Sequence, residues 1–215
     1  AQSIQGQVYL TNRIKSMNQS IYYNTDDIHK AITEGKQISF QYLTYTITKE
    51  ETFRRDGTRY QVSPFALIYA EENYYLLAFD GKAQIFKHYR VDRMKNIQIS
   101  TLDREGIEQF KQIDMARYTT QTFSMFGGKA ERLTIEFSNR LIGVVIDRFG
   151  KDIPIRKTDE EHFQVSVEVV VSEQFFGWLF GLGADARIIS PQTAAEHMKK
   201  LLEDVKKKYE VVKSS

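Results

Sequence analysis

The chain has 215 residues, with 30 basic and 28 acidic side chains and a formal net charge of +2. Domains usually hold about 100–150 residues, so this length predicts two domains or one long one, and so balanced a charge excludes a surface that grips nucleic acid over its whole extent. A composition of 41% hydrophobic and 27% charged residues excludes wholesale disorder, and the lack of cysteine excludes disulfide scaffolds, Cys-based zinc sites and cysteine nucleophiles.

Residues 1–24 are polar with scattered apolar positions and read as a linker, the end of a connection to something longer. They carry no initiator methionine and no signal-peptide pattern, so a cytoplasmic location is expected. Thr25-Asp26-Asp27, followed by Ile28, Ala31, Ile32 and Gly35, predicts a short helix. In this reading Thr25 is the hydroxyl N-cap, the acids occupy the first turn and the glycine lies at C′.

From Gln37 the period changes to two. Ile38, Phe40 and Tyr42 alternate with polar residues, and Phe53, Tyr60 and Val62 continue the pattern. Arg55-Asp56-Gly57-Thr58 is expected to be a hairpin turn, because Asp-Gly supplies positive φ. Pro64 predicts an edge or a bulge, and Asp80-Gly81-Lys82 predicts a second turn. Four or five short strands, closed by Ile97–Ile99 and uninterrupted by helix, predict a small antiparallel barrel over 25–101. Residues 102–128 read as a connection, with an amphipathic helix at Ile107, Phe110 and Ile113.

Beyond it the order changes. Strands are expected at Leu133–Phe137, Ile153–Ile155, Phe163–Val171 and Ala186–Ile189, and helices at Arg140–Arg148, Glu173–Gly181 and Thr193–Tyr209. That βαββαβ order with a terminal helix predicts a ferredoxin-like domain over 129–215. The fold class is therefore α+β. Residues 25–101 hold 11 basic and 10 acidic side chains, residues 129–215 hold 14 and 14, and neither half is a nucleic-acid magnet as a whole. The longest near-apolar stretch, Phe175 to Ala184, is about half of what a bilayer-spanning helix needs, so no membrane partner is expected.

Catalytic signatures are missing. The four histidines are scattered, no Gly-x-Ser-x-Gly elbow occurs, and Gly127-Gly128-Lys129 fails as a phosphate loop because Phe123 and Ala130 stand where a glycine and a hydroxyl belong. No enzyme, cofactor or metal site is expected. The charge concentration that stands out is Ile85 to Lys95, with four fixed cations and His88 against one acid. In a strand, Phe86, His88 and Arg90 share one face, while Lys87, Tyr89 and Val91 share the other. His88 and Arg90 beside aromatic neighbours suit an anion and a stacked base; a solvated edge strand whose cations suppress edge pairing is the competing reading. The lysines of the last helix are interleaved with acids and read as a solvated face. Trp178 with Phe175, Phe176, Leu179 and Leu182 follows helical spacing and reads as core or dimer interface.

Four ordered blocks carry a resemblance: Ile38-Ser39-Phe40-Gln41-Tyr42, Tyr60 to Leu67, Asn73 to Asp80, and His88 to Met94. Together they resemble the WYL domain of bacterial transcriptional regulators, with Tyr74-Tyr75-Leu76 in the place of the naming tripeptide. The stretch Phe176 to Gly183, Ile188-Ile189-Ser190-Pro191 and the final helix look like the extension that follows such domains. The resemblance implies an Sm-like or SH3-like barrel that senses an effector, a nucleotide or single-stranded nucleic acid, through a basic and aromatic face. Carried over by position, the binding residues are Tyr42, Tyr74, Tyr75, His88, Arg90 and Arg93. Arg90 and Arg93 would hold phosphates, tyrosines would stack on bases, and His88 would gain charge below about pH 6.5. The resemblance further implies a homodimer, with operator DNA read by a winged helix-turn-helix domain that these 215 residues do not contain.

Overall fold

The computed structural model describes residues 19–70, 72–115, 118–119 and 130–210. The chain divides between Phe110 and Lys111 into two compact units, a division that falls inside the expected connection. Gly127 and Gly128 lie outside the described residues.

The first unit opens with helix α1, Gln19–Glu34. Its apolar stripe is buried as expected, Ile28 and Ala31 completely so, and Gly35 ends it at φ +65°, where a left-handed residue closes a helix without a Cβ penalty. The expected start is corrected. Thr25 is not an N-cap but an interior residue, and its hydroxyl donates back to the carbonyls of Ile21 (2.9 Å) and Tyr22 (2.8 Å), satisfying itself within the helix. The extra turns at the start carry Asn24, which is buried. Its amide donates to the carbonyls of Val91 (3.1 Å) and Met94 (2.9 Å).

Six strands follow: β1 Lys36–Tyr45, β2 Glu51–Phe53, β3 Tyr60–Ala70, β4 Asn73–Asp80, β5 Ile85–Arg90 and β6 Met94–Asp103. They form one antiparallel sheet, β1 lying between β3 and β6, and β4 between β3 and β5. The sheet curls into a half-barrel because β3 changes partners. Its residues Tyr60–Val62 pair with β1, and those from Ser63 onward pair with β4. The register shifts between Pro64 and Ala66, so the bulge expected at this proline is present; a residue without an N–H interrupts a ladder.

The hairpin expected at Arg55–Thr58 lies elsewhere. The β1–β2 turn is Thr46–Glu50, closed by the Thr46 N–H to the Glu50 carbonyl at 3.0 Å. Arg54–Gly57 instead forms a left-handed turn, closed by the Thr58 N–H to the Arg55 carbonyl at 2.9 Å, between β2 and β3, two strands that both pair with β1. Asp-Gly does supply positive φ there, but as an excursion from one long pairing rather than as a reversal of direction.

Tyr75 to Phe79 of β4 are all buried, since both faces of the strand are covered. One face joins the core of Ile28, Phe40, Val62, Leu76 and Met94. On the other, Phe65 and Phe86 meet Phe110 of the short helix α2, Ile107–Lys111, at ring separations of 4.5 and 6.0 Å. Gly106 has φ +82°, and a Cβ there would lie 2.5 Å from the Phe79 ring, so the approach of this segment requires glycine.

The second unit contains β7 Ala130–Ser138, α3 Ile142–Phe149, β8 Ile155–Lys157, β9 His162–Val170, α4 Glu173–Phe180, β10 Ala186–Ser190 and α5 Gln192–Glu210. The antiparallel sheet runs β10-β7-β9-β8, which is the ferredoxin-like order. One expected strand moves: Ile155–Lys157 pairs with Phe163–Val165 in place of Ile153–Ile155. Pro154 cannot donate to a ladder, and Ile153 packs against the core instead. Leu133, Ile135 and Phe137 alternate inward from β7 to meet Val165, Phe175 and Leu179, and Trp178 stands edge-on to Phe149 at 5.8 Å. The lysines of α5 pair within the helix, Lys199 with Glu203 and Lys206 with Glu210, as a solvated face does. Among the described residues no helix is long and apolar enough to cross a membrane.

Candidate nucleotide-binding face

An aromatic part of the half-barrel's core is built from β1, β3 and β5. The register sets Phe40 opposite Tyr60, and the two rings stack at 5.5 Å with planes 8° apart. Tyr42 and Tyr89 meet each other edge-on at 5.7 Å, and Tyr89 also meets Phe40 (5.1 Å) and Tyr60 (5.7 Å). Such edge-to-face contacts are each worth about 0.5–1.5 kcal/mol beyond burial. The Tyr42 hydroxyl accepts the backbone N–H of Arg90 at 3.0 Å, which ties β1 to β5. Burial pushes the phenols of Tyr42 and Tyr89 above the usual range, so both are neutral donors at physiological pH.

Over this aromatic box lies the Arg54–Gly57 excursion. The Arg55 guanidinium sits 4.5 Å from the centre of the Tyr60 ring, and that of Arg54 is 5.5 Å from Tyr42. Exposed contacts of this kind are worth about 0.5–1 kcal/mol. Arg55 and Asp56 hold φ values of 54° and 50°, left-handed conformations that cost roughly 1–2 kcal/mol each for residues with a Cβ. Side chains tie down the C-terminal end of the turn, Gln41 from β1 and Arg59 from just before β3. Gln41 donates to the Gly57 carbonyl at 2.9 Å, and Arg59 donates to the carbonyls of Ser39 (2.9 Å) and Asn96 (2.5 Å).

Residues 24–99 match the WYL domain family, and residues 129–205 match the WCX domain family. The chain thus carries a WYL domain followed by a WCX domain. No curated protein matches it. Among solved structures, a CRISPR Cas-related protein is similar at a TM-score of 0.52 and 15% identity over 90% of this chain, which spans 54% of that protein. Proteasome accessory factor B/C (PafBC) of Arthrobacter aurescens aligns at a TM-score of 0.38 and 15% identity over 87% of this chain and 27% of its own. The first of these likenesses is one of fold.

Within the WYL domain the six carried-over positions do not share one surface. Tyr75, His88 and Arg90 lie on the outer face, as the pairings Tyr75↔Arg90 and Leu77↔His88 require. Tyr42 lies inside, and Tyr74 is exposed beside Tyr69 at 5.0 Å. Arg93 occupies the 3₁₀ turn Val91–Arg93 between β5 and β6. Arg90 is engaged by Asp92 through two hydrogen bonds of 3.1 and 2.7 Å, and by Asn73 at 2.8 Å. The Asp92 bonds raise its pKa further.

His88 departs from expectation. Burial lowers its pKa to about 4, so it stays neutral where a surface histidine would begin to charge. The charge cluster is also more nearly balanced than its sequence, because Lys87 reaches Asp80 at 2.6 Å. Burial pushes the Asp80 carboxyl up, but hydrogen bonds from Lys87 and from the Ala83 and Lys82 N–H groups outweigh it and hold the carboxyl below its usual value.

Sequence reasoning missed Arg54, Arg55, Tyr60 and Tyr89 as site residues. Two arginines ahead of an Asp-Gly, followed by an aromatic at position 60, are visible in the sequence. The register that sets Tyr60 against Phe40 and beneath Arg55 is not.

Proposed function

We propose that this chain is the effector-sensing and assembly part of a bacterial DNA-binding transcription regulator, and that a nucleotide or single-stranded nucleic acid binds the basic, aromatic face of its WYL domain. The observation that carries the reading is the pair Arg54 and Arg55 lying over the Tyr42 and Tyr60 rings of the half-barrel, since ring faces suit bases and guanidinium groups suit phosphates. The WYL-domain match over residues 24–99 supports it, since regulators that carry this domain are sensors and generally not enzymes. In this reading the WCX unit mediates homodimerisation, operator DNA is read by a separate winged helix-turn-helix domain, and the protein works in the cytoplasm.

A labelled single strand of five to ten nucleotides tests the reading. Binding is expected to weaken steeply as salt rises, because phosphate neutralisation releases counterions. Arg93→Ala should weaken it, as Arg93 has no ion pair among the described residues. An unchanged affinity in Arg90→Ala would remove Arg90 from the site. The second reading is a protein-interaction module without a nucleic-acid ligand, favoured by the pairing of Lys87 with Asp80 and of Arg90 with Asp92. Absence of binding at low salt, with dimerisation intact, would select it.

A further inference from the structure

Tyr89 is 6% exposed, and its hydroxyl has no hydrogen-bond partner among the described residues. Its ring is fully used, packed against Phe40, Tyr42 and Tyr60. A phenylalanine would make the same ring contacts without burying a donor, and buried donors are paired in nearly all native structures. The hydroxyl therefore asks for a partner that the fold itself does not provide. Directly above the box are Arg54 and Arg55, neither of which makes an ion pair among the described residues. Their guanidinium groups cover the Tyr42 and Tyr60 rings from a turn with two side-chain-bearing residues in the left-handed region.

We propose that the Arg54–Gly57 turn is a ligand-responsive strap and that Tyr89 is the recognition group beneath it. The ligand is a nucleoside monophosphate unit, free or at a strand end. Its base takes the Tyr60 face from Arg55 and accepts a hydrogen bond from Tyr89 Oη at a ring nitrogen or carbonyl. The two arginines then turn onto its phosphate. The exchange is balanced, since a weak exposed cation–π contact is replaced by base stacking and charge-assisted hydrogen bonds, and a left-handed turn gains the freedom to relax. This inference rests on the nucleotide reading above, and it assigns the phosphate to the strap instead of to β5.

The test uses the full chain, a labelled six-nucleotide single strand followed by anisotropy, and AMP or orthophosphate followed by thermal unfolding. Tyr89→Phe is expected to bind the strand about tenfold more weakly, the effect of one lost hydrogen bond. The same variant should melt no lower than the parent, because an unpartnered buried hydroxyl has been removed. Arg54→Gln/Arg55→Gln should weaken binding by at least as much at low salt. AMP should raise the melting temperature of the parent but not that of Tyr89→Phe, and orthophosphate should raise neither. Unchanged binding in both variants would overturn the strap, as would a lower melting temperature for Tyr89→Phe or equal protection by orthophosphate. A strand still bound by the strap variants but lost in Arg90→Ala and Arg93→Ala would overturn the strap and leave the nucleotide reading standing. A parent chain that binds neither strand nor AMP would overturn both.

Discussion

The two units bury their interiors in different ways. The core of the second is apolar throughout, with Leu133, Ile135, Phe137, Val165, Phe175 and Leu179 meeting across one side of the sheet. The core of the first takes in two phenols, Tyr42 and Tyr89, and beside it lies the buried amide of Asn24. From Lys129 onward Tyr209 is the one tyrosine among the 12 of the chain. An apolar core fixes a shape and offers nothing to recognise. A core with donors in it must either satisfy them internally, as Asn24 does, or leave them for a ligand.

The sharpest way to break this comparison is to empty each core in turn. Phe40 and Phe137 are both fully buried, and Phe→Ala at such sites costs about 3–5 kcal/mol. Urea unfolding should show Phe40→Ala moving one transition and Phe137→Ala moving another. A single transition shifted equally by both would mean that the units do not unfold separately.

A smaller effect separates the units by pH. The folded-state pKa of His88 lies near 4, below the ordinary value of about 6.5. The unfolded chain therefore binds the extra proton first. Stability from this group is full above pH 6.5 and falls as the pH drops from 6.5 towards 4, by at most about 3 kcal/mol. Urea midpoints of the parent and His88→Leu at pH 7 and pH 4.5 measure it. The leucine variant should show a shallower loss, confined to the first unit's transition. Parallel losses in the two proteins would place the acid sensitivity in the carboxylates.

The smallest effect is expected on α5. Lys206 pairs with Glu210 at 3.4 Å on an open helix face, and exposed pairs of this spacing are worth about 0.3–0.5 kcal/mol. Lys206→Ala should barely move either transition, and a loss above about 1 kcal/mol would show that this face is not simply solvated.

How far the sequence could be read follows the same division. The βαββαβ order of the second unit was legible because its elements are periodic and punctuated by Gly150 and Pro191. In the half-barrel the alternation at Phe40, Tyr42, Tyr60 and Val62 was equally plain, and so was the bulge at Pro64. What could not be read was long-range. Thr25 looked like a cap because the stretch before it is polar, but Asn24 earns its helical position through carbonyls about 70 positions away. Arg55-Asp56-Gly57 had the composition of a hairpin turn, yet both flanking strands pair with β1. Arg90 looked available for phosphate until the fold brought Asn73 to it beside Asp92. The burial that holds His88 neutral comes from strand pairing and covering segments, neither of which spacing reveals.

The Asn24 amide also has a mechanical meaning. Its two bonds fasten the second turn of α1 to the carbonyls that bracket Asp92 and Arg93, while the Gly35 carbonyl, at the far end of the helix, accepts the Arg104 N–H at 2.8 Å. A rod pinned at two points cannot pivot freely. To tilt, α1 must either release those bonds or drag the Val91–Arg93 turn with it, and the turn would carry Arg93 and the Asp92 that holds Arg90. The helix that leads into the barrel is thus a lever geared to the arginines at its rim.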